Sequence, residues 1–217
     1  MPSYEERRRV MVDTQVRPSD VTRFPVIEGM LSIPRERYVP EAQREAAYAG
    51  EHVSLGGGRV MLEPRTIAKI LDAVDIQPTE AVLDIACGPG YSTALAAWLA
   101  EAVVGLEDDP DMVRDAEQTL VDESVDNAVV LEGPLTEGAV KHGPYDVILV
   151  QGGVERVPEA LLAQLGDGGR IGCIFMEGAL GTVRVGLKAD GVVTWRFAFN
   201  AAAPVLSGFT AARAFSL

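Results

Sequence analysis

Cysteine and histidine are nearly missing: Cys87, Cys173, His52 and His142 are the whole supply in 217 residues. Two cysteines build no disulfide framework, and none of the four side chains has a partner at metal-ligand spacing, which argues against a zinc cluster. Long apolar runs are missing too, and none approaches the ~18 residues that would cross a bilayer. No basic-then-apolar leader opens the sequence, since Ser3-Tyr4-Glu5-Glu6 is polar and charged. Positive charge is scarce, with 19 Lys and Arg against 32 Asp and Glu and a net charge of −13. A field of that sign repels phosphate backbones and anionic lipid, so neither nucleic acid nor membrane is an expected partner. The short run Arg7-Arg8-Arg9 reads as a solvated helix face. A reducing cytoplasm is the expected home.

What is present suits one sizeable α/β core: 47% apolar and 24% charged residues, with no low-complexity segment and no internal repeat. Ser3 with Glu6 forms a capping box for a first helix. After Asp20, the spacing of Val26, Ile27, Met30 and Leu31 paints one helical stripe, and Pro34 stops it. Residues 41–49 read as a short helix, and Gly56-Gly57-Gly58 as a flexible loop. From Pro64 the pattern changes, with Ile67, Ile70, Leu71 and Val74 on one face of an amphipathic helix.

Short apolar runs then alternate with helical stretches. Strands are expected at 81–86, 102–106, 128–131, 147–150 and 170–175, with helices at 92–100, 111–120 and 158–165. Strands apolar throughout and separated by helices imply a mostly parallel sheet covered on both faces. In the tail, Val183, Val185 and Leu187 alternate with Arg184, Gly186 and Lys188, ahead of the turn Asp190-Gly191 and a β-rich stretch at 192–199. That pattern predicts an antiparallel hairpin at the sheet edge.

The most informative stretch runs from Ala81 to Ser92, where an apolar strand passes through Ala86-Cys87-Gly88-Pro89-Gly90-Tyr91 into a helix. Ligands of open parallel sheets bind beyond the carboxyl ends of the strands. Gly88 and Gly90 let backbone approach a ligand closely, and Asp84 ends the strand where a carboxylate can meet a cation. The next strand ends at Glu107, placed to accept both hydroxyls of a ribose. The dinucleotide fingerprint fails, because its third glycine position is Tyr91. An acid at Asp84 would also repel a pyrophosphate while suiting the ammonium of a methionine moiety. On charge, S-adenosylmethionine (SAM) is favoured over NAD. Gln151, after the fourth strand, is expected to border the cofactor.

The stretch from Asp84 to Tyr91 resembles the first SAM motif of class I methyltransferases, and the chain as a whole resembles the protein-L-isoaspartate O-methyltransferase family. Beyond the SAM motif, the resemblance is carried by Ile33-Pro34-Arg35-Glu36-Arg37-Tyr38-Val39-Pro40, Ala47-Tyr48, Gly56-Gly57-Gly58, Glu63-Pro64, Gln164-Leu165 and Gly168-Gly169-Arg170. It implies a Rossmann-like fold, SAM as cofactor with S-adenosylhomocysteine (SAH) as product, and a protein or peptide acceptor bearing an isoaspartyl carboxylate. It implies a single methyltransferase domain over 1–217, with a helical cap and substrate-side segment at 1–63 and an α/β core at 64–217. Asp84, Ala86, Gly88, Gly90 and Tyr91 then line the methionine end, Glu107 the ribose, and Gly133, Pro134 and Leu135 the adenine.

The chain departs from the family pattern at named positions. Ala86 replaces the first glycine of the motif, and Gly133-Pro134-Leu135 lacks the acid of a Gly-Asp pair. The acceptor-side Thr-Ile-Ser-Gln-Pro becomes Val60-Met61-Leu62-Glu63-Pro64. Leu62 donates no hydrogen bond to a carboxylate, and Glu63 would add a like charge. Glu63 would instead serve a hydroxyl or amine acceptor as general base, or pair with Arg59 or Arg65 and do no chemistry. Three readings therefore stand: isoaspartyl methyl transfer, methyl transfer to another acceptor, and a non-catalytic SAM- or SAH-binding protein. Trp195-Arg196-Phe197 lies where relatives close the acceptor pocket, His52 and His142 read as surface or loop histidines, and Cys87 as a small filler.

Overall fold

The computed structural model describes residues 2–211. Its first helix, α1 (Tyr4–Met11), begins with the expected capping box, Ser3 Oγ accepting from Glu6 N and the Glu6 carboxylate from Ser3 N. A π-helical turn at Val12–Val16 and a 3₁₀ turn at Arg17–Ser19 lead to α2 (Phe24–Ser32). Asp20 does not cap α2; Arg23 stands at that position, and Pro25 opens the first turn. Residues 41–46 form 3₁₀ rather than α-helix, a common outcome for so short a stretch.

The segment expected to be loop around Gly56 is a hairpin of β1 (Val53–Gly56) and β2 (Arg59–Met61), paired antiparallel. Gly56, Gly57 and Gly58 all have positive φ (92°, 56° and 80°), which a tight turn demands and side chains resist. Next come α3 (Pro64–Val74), β3 (Ala81–Ile85), α4 (Tyr91–Leu99), β4 (Ala102–Glu107), α5 (Pro110–Asp122), β5 (Ala128–Glu132), β6 (Tyr145–Val154), α6 (Glu159–Gln164), β7 (Leu165–Glu177), β8 (Leu180–Ala189) and β9 (Val192–Asn200).

Seven strands make the main sheet in the order β5-β4-β3-β6-β7-β8-β9. The pairs from β5 to β7 are parallel, and β7-β8 and β8-β9 are antiparallel. The chain reverses direction along the sheet between β5 and β6, so β3 and β6 flank the switch point where ligands bind. Asp190 and Gly191, both at positive φ (50° and 77°), turn the edge hairpin as their sequence predicts.

One face of the sheet is covered by the N-terminal helices with α3, α4 and α5, and the four stripe residues of α3 are at most 2% exposed. The other face is covered more thinly. There, α6 contributes Leu161, and the C-terminal segment contributes Leu206 and Phe209. This segment pairs with the end of β6: Gly153 N donates to Pro204 O (2.8 Å), and Leu206 N donates to Gly153 O (2.9 Å). The pairing explains why β6 outruns its expected end at residue 150. Glycines at 152 and 153 permit it, since a Cβ on Gly153 would lie 2.6 Å from Ala203 O.

Candidate active site

The turn after β3 carries backbone that few side chains tolerate. Ala86 has φ 63°, Gly88 57° and Gly90 95°, and Gly90 stands at the N-cap position of α4. For Ala86 that conformation costs about 1–2 kcal/mol, a cost the motif's usual glycine avoids. Ala86 N and Cys87 N both donate to Leu106 O (2.8 and 3.3 Å), which ties the turn to β4.

Two acids end the neighbouring strands, and both are fully buried. Around Asp84, Ser92 Oγ (2.6 Å) and Thr93 Oγ1 (2.8 Å) donate to Oδ2, and Gln151 Nε2 (2.8 Å) donates to Oδ1. Burial raises the Asp84 pKa to about 6, against the lowering effect of these three donors. Glu107 is held differently. Arg59 forks onto it, Nη1 to Oε1 at 2.7 Å and Nη2 to Oε2 at 2.8 Å. Backbone N–H groups of Gly88 (2.7 Å), Asp108 (2.9 Å) and Asp109 (3.2 Å) complete the shell. Burial pushes the Glu107 carboxyl upward, but the bonds and charge of Arg59 outweigh it and leave it below the usual carboxylate range. Asp108 shifts upward through its own burial and the neighbouring Glu107.

The β1–β2 hairpin borders two cavities. One lies over the turn, is lined by Leu55, Val60, Met61, Leu62, Ala86, Cys87, Tyr91 and Gln151 among others, and measures about 10 Å³, room for a single water at most. The second is a cleft of about 680 Å³ lined by Gly57, Gly58, Arg59, Asp108, Asp109, Leu135, Val205 and Leu206 among others, a volume within the range of small-molecule sites.

The residues singled out in the sequence divide between these surroundings. Leu62 is 1% exposed, and its carbonyl accepts from the buried Arg35 (2.7 Å). Glu63 lines neither cavity; its carboxylate accepts from Thr66 Oγ1 (2.7 Å) at the start of α3. The expected pairing of Glu63 with Arg59 or Arg65 is not made, because Arg59 is on Glu107 and the Arg65 guanidinium lies over the Phe199 ring. Tyr91 is buried under the Arg35 guanidinium, 4.8 Å from its ring centre. Gly133 N donates to Glu107 O (2.9 Å), Pro134 is exposed, and Leu135 walls the larger cleft. Cys87 is inert: burial, with Asp84 and Glu107 nearby, holds its thiol protonated.

Other expectations need correcting. His52 lies in a loop, as expected, but it is tied down there. Its Nδ1 accepts from Glu63 N (2.9 Å) and its Nε2 faces Ala202 O (2.8 Å), an arrangement that requires the neutral Nε2–H tautomer. His142 is exposed in a 3₁₀ turn, as expected. Trp195, Arg196 and Phe197 line neither cavity; Trp195 packs edge-on to Phe175, and Arg196 donates to Ala73 O (2.8 Å) at the end of α3.

Sequence reasoning passed over Arg59 as a partner for Glu107, Ser92 and Thr93 as partners for Asp84, and Leu55 as the cover of Gly88. The hydroxyl pair was readable, since two hydroxyl residues opening a helix beside a strand-end acid are natural donors to it. The Arg59 pairing spans 48 residues and leaves no local signal.

Comparison with known proteins agrees on one family. The family model described as Protein-L-isoaspartate(D-aspartate) O-methyltransferase matches residues 7–177. A protein-L-isoaspartate O-methyltransferase of Pelobacter propionicus is 33% identical over 167 residues, covering 77% of this chain and 74% of that protein. One from Syntrophus aciditrophicus is 34% identical over 171 residues, covering 79% and 78%. Among solved structures, a protein-L-isoaspartate O-methyltransferase superposes with a TM-score of 0.79 at 21% identity, over 95% of this chain and 66% of the other. A Plasmodium falciparum structure, described as a beta-aspartate methyltransferase in complex with SAH, gives 0.79 at 18% identity over 95% and 99%.

Proposed function

This chain belongs to the protein-L-isoaspartate(D-aspartate) O-methyltransferase family, and from that premise we propose that its acceptor is the isoaspartyl carboxylate of a damaged protein or peptide. It is a SAM-dependent methyltransferase. When bound, SAM supplies an electrophilic methyl on a sulfonium.

The residues fit that cofactor. Gly88 and Gly90 offer backbone for close approach, Glu107 a carboxylate for the ribose diol, and Leu135 with Asp108 the walls of a cleft wide enough for an adenine. Asp84 acts one step back, because its oxygens are spent on Ser92, Thr93 and Gln151. It fixes the Gln151 amide and the first turn of α4, which line the small cavity over the turn, where the proposal puts the cofactor's methionine end.

One observation carries the choice of acceptor. The small cavity over the turn has no carboxylate or histidine in its lining, and its Cys87 and Tyr91 are held protonated by burial. A hydroxyl or amine acceptor needs a base there. A carboxylate is already anionic at about pH 7 and needs only alignment. Glu63, the one candidate base in the sequence, is turned to Thr66. The reading favoured is therefore carboxyl methylation, with Val60 and Leu62 shaping an apolar wall in place of hydrogen-bonding hydroxyls.

Incubating the enzyme with methyl-labelled SAM and an isoaspartyl peptide, then hydrolysing the ester, should release labelled methanol. Stable label on a hydroxyl or amine acceptor, lost in Glu63→Gln, would overturn the proposal. So would SAH binding without any methyl transfer to the peptide. No helix among the described residues is long and apolar enough to cross a membrane. With Cys87 and Cys173 both buried and free, we place the enzyme in the cytoplasm, acting on protein rather than nucleic acid.

A further inference from the structure

The carboxylate suited to the ribose is already fully engaged. Glu107 Oε1 accepts from Arg59, Asp108 N and Asp109 N, and Oε2 accepts from Arg59 and Gly88 N. A carboxylate offers about four lone-pair positions, so five donors leave none for two incoming hydroxyls. The three backbone N–H groups belong to the turn and to the strand end, and they cannot leave without unmaking either. Arg59 can leave. It sits directly after the three-glycine tip, where a Cβ on any of the glycines would meet nothing within 4 Å. Its side chain is 12% exposed against 0% for Glu107.

The same hairpin covers the turn. A Cβ at Gly88 would lie 2.9 Å from Leu55 Cδ1, and the cavity beneath holds only about 10 Å³. Opening the turn to a ligand therefore means lifting the hairpin. A second anion already shares the guanidinium: Arg59 Nη1 donates to Asp108 Oδ1 at 3.2 Å as well as to Glu107, and the Asp108 side chain is 43% exposed. We infer that Arg59 is a latch that holds the β1–β2 hairpin shut by occupying Glu107, and that the cofactor's ribose displaces it from Glu107 and leaves it on Asp108 alone. This rests on the reading of Glu107 as the ribose acid. Arg59 is then a positioning residue that sets cofactor affinity, because a ligand that binds only the open form has its apparent affinity reduced by the open fraction.

Calorimetric titration of SAH tests this on the full chain. Arg59→Ala should bind SAH about tenfold tighter or more, within the usual range of a coupling between sites. The variant keeps three donors on Glu107; should it fail to fold, Arg59→Gln, which retains an amide donor but no fork, is titrated in its place. Asp108→Asn should weaken SAH binding in the wild-type background and have no effect in the Arg59→Ala background. Unchanged or weaker binding by the Arg59 variant overturns the latch, as does an Asp108→Asn effect of equal size in both backgrounds. Failure of the underlying reading looks different: Glu107→Gln would then bind SAH as well as the wild type.

Discussion

Asp84 and Glu107 end adjacent parallel strands, are equally buried, and have been given opposite fates. Asp84 is enclosed by three neutral donors from rigid elements, α4 and β6, and burial raises its pKa to about 6. Glu107 is held by backbone amides and by a cation on a glycine-tipped hairpin, and it stays below the usual carboxylate range. Neutral donors on fixed elements make a permanent joint. A charged partner on a hinge leaves an acid that remains ionised and can exchange partners. Position at a strand end is thus insufficient to identify a ligand-binding acid; the kind of donor that satisfies it separates the two.

Breaking the comparison at Glu107 should have the largest effect. Glu107→Gln removes the charge from two ligand hydrogen bonds worth roughly 1.5–3 kcal/mol each, so calorimetry should show SAH affinity falling by about two to three decades. Melting curves should show the variant folded.

At Asp84 the effect is on stability and depends on pH. The folded state keeps its proton to about pH 6, whereas the unfolded chain loses it near pH 3.9. Between those values the native state binds more protons, so this group's contribution to stability falls as pH rises and is lowest above about pH 6. The difference amounts to up to about 3 kcal/mol. Urea unfolding at several pH values should show the wild type losing that amount relative to Asp84→Asn as pH rises through this window, on top of the opposite contribution of acids such as Glu107 whose folded state is the more acidic. The same pH dependence in both would mean that Asp84 does not titrate in this window.

The smallest effect is expected beside the two acids, at Ala86. Ala86→Gly relieves a left-handed backbone at the cost of a looser unfolded chain, for a net gain of about 1 kcal/mol in urea unfolding. A loss of stability would show that the alanine methyl packs better than its backbone strain suggests.

The sequence made one half of this contrast legible. The strand from Ala81, the turn at Gly88 and Gly90, and the acid at Glu107 lie within one β-α-β unit, where apolar runs and glycine spacing act locally. The parallel sheet and its edge hairpin were legible for the same reason. The hairpin of β1 and β2 was not, because strands of four and three residues carry too little alternation to stand out from loop. Nor was the pairing of Val205 with Gly153 in β6, which depends on two glycines whose missing side chains admit the C-terminal segment. The first miss is a local hairpin and the second joins segments far apart in sequence, and both border the large cleft. The partner of Glu63 was not legible either, since the group that engages it is an uncharged hydroxyl, Thr66, in the first turn of α3.

The claim on which this rests is that Glu107 holds a vicinal diol, and the ligand tests it more directly than the protein does. SAH and its 2′,3′-dideoxy analogue should be titrated into the wild type and into Glu107→Gln. The wild type should prefer SAH by about a hundredfold or more, and the variant should distinguish the two far less. Equal affinity of the wild type for both compounds would contradict it.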